Sequence, residues 1–162
     1  FTWIRDTVDN QFHLHRGLAQ YFGKMAVALV SNDVLPYNVS NLYVAMKEWL
    51  EYEIMELITD NGCDISDGTV LSNMTTILTQ EIENFGRFAF YLQAKIDAMK
   101  DIKEEDQDDI YEANVTRYNG VLQGLYQQFL IENGLPDRPY FKNILMAPDI
   151  DSGYEPQVFP YI

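Results

Sequence analysis

The stretch DGTVLSNMTTILTQEIENFGRFAFYLQAKIDAMK, residues 67–100, decides the fold. Leu71, Met74, Leu78, Ile82, Phe85, Ala89, Leu92, Ile96 and Met99 recur along it at near-heptad spacing. Side chains three and four apart share one face of a helix, so the spacing predicts a long amphipathic helix with a core-facing stripe. Ser66 or Asp67 is placed to cap it, because a short polar side chain there can accept from the free N–H groups of the first turn. Gly86, inside the stretch, costs about 1 kcal/mol relative to Ala and marks a kink or a close helix contact.

The same period continues on both sides. Upstream, Leu42, Ala45, Met46, Trp49, Leu50, Ile54, Leu57 and Ile58 predict a helix over about 41–60, ended by Asn61-Gly62. Before it, Leu14, Leu18, Phe22, Met25 and Leu29 form one stripe of a helix over about 9–32, which stops ahead of Leu35-Pro36. Downstream, the run Asp101–Asp109 carries six acidic residues and one Lys, and reads as an exposed connection. Asp106 or Asp108 caps the next helix, predicted over about 108–133 through Ile110, Tyr118, Val121, Leu122, Leu125 and Phe129, with Gly134 in the C′ position. Beyond Gly134 the period is lost, and five of the six prolines fall between Pro136 and Pro160. Tyr140, Phe141, Ile144, Leu145, Met146, Tyr154, Phe159 and Tyr161 make this arm too apolar for a free linker. It is expected to strap across the helices or dock on a neighbour, with Phe141–Met146 able to add a short strand to another domain. The fold class is therefore all-α: a single domain over 1–162, a helical bundle of four principal helices with an extended Pro-rich arm over 134–162.

The 162 residues are 47% apolar, enough to fill a core, and the longest apolar stretch, Met25–Val30, is far below the ~20 residues of a membrane span. A net charge of −14 argues against nucleic acid and against anionic membrane surfaces. Cys63 is the one cysteine, so no internal disulfide forms, and its acidic neighbours keep it a bland loop thiol. Neither a signal peptide nor an initiator Met is visible, and the chain reads as part of a longer protein. Asn38, Asn73 and Asn114 head glycosylation sequons, three where composition gives about one, which leans towards a luminal or extracellular setting.

Motifs for chemistry are sparse. His13 and His15 are two apart and point to different sides of a helix, a poor metal pair. The Asp60–Gly68 stretch resembles a calcium loop only superficially, since Ile65 stands where the sharp turn needs Gly. No phosphate loop, His-Glu-x-x-His, Gly-x-Ser-x-Gly or cysteine pair occurs. The acidic run reads as a solvated face. Aromatic content of 14% is high, and Tyr and Trp favour interfaces because they combine large area with a polar tip.

The most specific string is Gly134-Leu135-Pro136-Asp137-Arg138-Pro139-Tyr140-Phe141, followed by Ala147-Pro148, Tyr154 and Phe159-Pro160. Together with His15, Ala19-Gln20, Gly23, Met25 and Val34-Leu35-Pro36-Tyr37, it closely resembles the C-terminal helical domain of the glutamate carboxypeptidase II and transferrin receptor family. The resemblance spans the chain, more weakly from Glu48 to Glu132. It implies a homodimerisation module of a type II membrane protein, on the luminal or extracellular side. Its partners would be a second copy and the parent's protease-like and apical domains, without nucleic acid or direct membrane contact. It implies no catalysis and no metal ligand in this chain: two zinc ions would belong to the parent's protease-like domain, and the last ligand would lie upstream of Phe1. The family's closing helix after the Phe-Pro motif would lie beyond Ile162.

In the family's glutamate-specific peptidases, a Lys-Tyr pair after Ala-Pro grips the substrate's carboxylates. The matching positions are Gly153 and Tyr154, beside Ser152, so the Tyr is kept and the Lys is lost. Two further readings follow: completion of a zinc exopeptidase's substrate pocket through Tyr154, and a receptor or trafficking-adaptor surface whose acidic face at Glu104, Glu105 and Asp106 binds a basic partner.

Overall fold

A computed structural model describes residues 2–66 and 68–160. The chain divides into two compact units, residues 1–37 and 38–162. Helices α1 (His13–Ser31), α2 (Val39–Glu48), α3 (Met55–Asp60), α4 (Val70–Lys100) and α5 (Asp109–Leu125) account for most of it, with one small hairpin of strands β1 (Met146–Pro148) and β2 (Pro156–Val158). The protein is all-α.

In the first unit, a π-helical turn Ile4–Val8 and a 3-10 turn Asn10–Phe12 precede α1. The helix expected from residue 9 starts at His13 instead, because Gln11 and Phe12 both adopt left-handed backbone (φ 57° and 58°). Asp9 lies outside the helix and serves its first turn, accepting from the Leu14 and His15 N–H groups at 2.9 Å each. No residue of α1 is buried, and its predicted stripe is open to solvent.

In the second unit, α2 and α3 are joined by a π-helical stretch, Trp49–Ile54, so the segment predicted over 41–60 is one helix with a widened middle. Asn38 caps it, its side chain accepting from Ser40 N–H and Asn41 N–H. Met46, Leu50, Ile54 and Ile58 face inward and meet Ile82 of α4 in the core. The widened turn keeps Leu50 and Ile54, four residues apart, on that inner face.

α4 is the longest element, as its period predicts. Its cap is Thr69, whose side chain accepts from Ser72 N–H at 3.1 Å. That replaces the expected Ser66, while Asp67 lies outside the described residues. Ile82, Ala89, Leu92, Ile96 and Met99 are buried, whereas Met74 turns outward. At Gly86 the close helix contact is real: an added Cβ would fall on the Tyr43 ring of α2. α5 is capped by Asp108 through Tyr111 N–H at 2.9 Å, one of the two expected caps.

The helix predicted to 133 ends earlier. It tightens into a 3-10 turn, Tyr126–Phe129, and Leu130 is extended. Gly134 is thus no helix cap, and its positive φ of 70° serves a later turn. The arm packs on its own chain: Leu145, Val158 and Phe159 join the α2–α4 core, and Phe159 meets Trp49 edge to face at 6.2 Å between centroids. Of the Phe141–Met146 stretch expected to offer a strand to another domain, Met146 alone enters a strand, and that strand pairs internally, with Met146 opposite Val158 and Pro148 opposite Pro156.

Candidate functional site

The arm's motif residues build a platform and a projecting loop. Leu135, almost fully buried, accepts the Arg138 N–H at 3.0 Å through its carbonyl, and its own N–H donates to the Phe141 carbonyl at 2.8 Å. This folds residues 134–141 into a tight lobe. Gly134 is required there twice over, by its φ of 70° and because a Cβ would strike the Pro139 carbonyl. Asp137 also sits in left-handed backbone (φ 56°), which Asp tolerates better than most residues.

Arg138 ties this lobe to the hairpin. Its guanidinium donates to the Pro148 carbonyl at 2.6 Å and to Gln157 Oε1 at 2.9 Å, bridging β1 and β2. Its Nε is buried without a hydrogen-bond partner.

The loop between the strands is held by Asp149. Its carboxylate accepts from Ser152 N–H at 2.7 Å and Asp151 N–H at 3.2 Å, and the Ser152 backbone N–H and hydroxyl hold its pKa below the usual carboxylate range. Gly153 has a φ of 67°, a conformation costly for a lysine. Tyr154 stands 96% exposed on this loop, so it packs against nothing in the chain. The structure therefore brings Gly134–Pro139 and the loop bearing Ser152, Gly153 and Tyr154 together through Arg138. The sequence signal for this link was the Arg in the motif, but nothing in the string named its acceptors.

The other candidates lie apart. Asn38 is exposed, with its Oδ1 accepting the Ser40 hydroxyl at 2.5 Å. Asn73 is exposed in the first turn of α4, and Asn114 is half-buried on α5. Cys63 is exposed. His15 Nδ1 pairs with Asp9 at 2.5 Å, and His13 Nδ1 lies 3.3 Å from the Arg16 guanidinium. Among the described residues no three His, Cys, Asp or Glu side chains are grouped to hold a metal ion, and no helix is long and apolar enough to cross a membrane. A cleft of about 440 Å³ between α2, α4 and the arm is walled by Met46, Leu78, Ile82, Phe85 and Phe129, with one carboxylate, Glu81, in an otherwise apolar lining.

A family described as the transferrin receptor-like dimerisation domain matches residues 74–162, which hold most of α4, all of α5 and the whole arm. The chain belongs to this family. A transferrin receptor-like dimerisation domain is thus the frame for the Arg138 lobe and its hairpin. Over 161 residues the chain is 21% identical to a "probable glutamate carboxypeptidase" of Arthroderma benhamiae, covering 99% of the chain and 20% of that protein. It is 22% identical over 160 residues to one of Arabidopsis thaliana, covering 99% and 20%. It is 23% identical over 168 residues to one of Zea mays, covering 100% and 21%. The chain spans about a fifth of the length of these curated relatives.

Proposed function

We propose that the chain is the homodimerisation module of a larger glutamate carboxypeptidase-like protein and carries no catalysis of its own. The observation that carries this reading is the family match over α4, α5 and the arm. It is supported by relatives that extend well beyond the matched segment and by an apolar surface that the helices leave open. Two differently tagged copies, co-expressed, test it: each tag should recover the other copy. Recovery of each tag with its own copy alone would contradict it.

A second reading concerns the parent protein, and the exposed Tyr154 favours it. A tyrosine held out on an ordered loop is available to a neighbouring domain. In this reading Tyr154 completes the substrate pocket of a zinc exopeptidase whose metal ligands lie in another domain. Gly153 supplies no charge, so a substrate carboxylate would meet only the phenol there. Tyr154→Phe in the full-length protein should raise KM with the dimer intact. An unchanged KM would remove the reading. The luminal or extracellular setting goes with the same proposal, and mass spectrometry of Asn38, Asn73 and Asn114 for sugar tests it.

A further inference from the structure

α4 has a second apolar stripe, exposed and flanking the buried one; Glu81, in its middle, also lines the cleft that α4 forms with α2 and the arm. Val70, Met74, Ile77, Phe88 and Tyr91 occupy the stripe, between 44% (Phe88) and 76% (Val70) exposed. They fall on one heptad series, alternating steps of four and three, with Glu81 and Asn84 at the two middle positions and Lys95 next in line. Such a series is the seam of a two-helix contact. It spans about 32 Å of helix from Val70 to Tyr91.

The order of residues along the stripe selects the occupant. If a second copy of α4 lies antiparallel with the two-fold axis between Ile82 and Glu83, Met74 meets Tyr91, Ile77 meets Phe88 and Glu81 meets Asn84. The four inner apolar positions then face apolar ones, and only Val70, at the end of the stripe, does not. The Asn84 carboxamide oxygen already accepts from Gln80 and Arg87, which leaves its NH2 group to donate to the other copy's Glu81 carboxylate. Val70 lies against the Lys95 stem, whose ammonium reaches water. A parallel pairing would instead set Glu81 against Glu81, two like charges in an apolar seam.

We propose that this exposed stripe of α4 is the homodimer seam, with the two α4 helices antiparallel and registered by the Glu81–Asn84 layer. The proposal rests on the homodimer reading above and names its contact. It is tested in a Cys63→Ser background with Ile77→Cys and Phe88→Cys on separate, differently tagged copies. Co-expressed and oxidised, they should form a disulfide between the two variants, while neither variant cross-links to itself. Ile77→Glu should weaken the dimer by about tenfold or more, the effect of burying an unpaired charge, with helical circular dichroism unchanged. Tyr126→Glu, at an exposed residue off α4, should leave it unaltered. Self-linking of Ile77→Cys would overturn the antiparallel register. A wild-type dimer without the mixed cross-link would overturn the seam and leave the homodimer reading standing, whereas a monomeric wild type would overturn both. If Ile77→Glu fails to fold, the cross-linking pair decides alone.

Discussion

Asp9 holds the start of α1. Burial pushes its carboxyl up, but the Leu14 N–H, the His15 ring and the His15 N–H pull it further down, to about 2 from an ordinary 3.8. A depressed carboxylate stabilises the folded state above its unfolded value. That contribution is present above pH 3.8 and is lost as the pH falls through about 2. Carboxyl NMR titration should give Asp9 a midpoint near 2 and Asp9→Asn should fray the first turn of α1; an ordinary midpoint would refute the cap. Gly86 offers a sharper contrast. Gly86→Ala gains about 1 kcal/mol of helix propensity but must displace the Tyr43 ring, whose hydroxyl donates to Glu83 Oε2 at 2.9 Å. Overpacking of this kind costs about 1–3 kcal/mol, so the net effect is destabilising. Gly120→Ala on α5, where a Cβ meets nothing within 4 Å, should stabilise by about 1 kcal/mol. Thermal unfolding of the two variants should therefore shift in opposite directions.

At the scale of elements, periodicity made the helices legible; burial follows the period in α4, where Ile82, Ala89 and Ile96 are among the most enclosed residues, whereas the equally periodic stripe of α1 is exposed. Periodicity failed where backbone chemistry rather than side-chain pattern decides. The widened turn at Trp49–Ile54 leaves no mark in an apolar series that still reads as helix. The hairpin stayed hidden because its strands are three residues long and each carries a proline, which suppresses a strand reading. Gly134 looked like a helix end, yet its positive φ is used in the motif lobe. Legible too was the weight of the Gly134–Pro139 string, though its physical work, the Arg138 bridge to Pro148 and Gln157, needed the fold. Arg138→Ala removes both bonds and should accelerate amide exchange of Asp149–Glu155 by about tenfold while α4 stays protected. Equal acceleration in α4 would show instead that Arg138 supports the whole unit.

For the whole molecule, charge and apolar surface oppose each other. Each copy carries a net charge of −14, so two copies repel at long range, while exposed apolar residues on α4 favour contact. Salt screens the repulsion and leaves apolar burial intact. A dimer built on the α4 stripe should therefore tighten as ionic strength rises towards physiological values, whereas one built on ion pairs would loosen. The most direct test of homodimerisation is sedimentation equilibrium of the chain at micromolar concentration. A homodimer gives a species of twice the 18.8 kDa chain mass that dissociates on dilution. A single species at 18.8 kDa across the whole concentration range would contradict it.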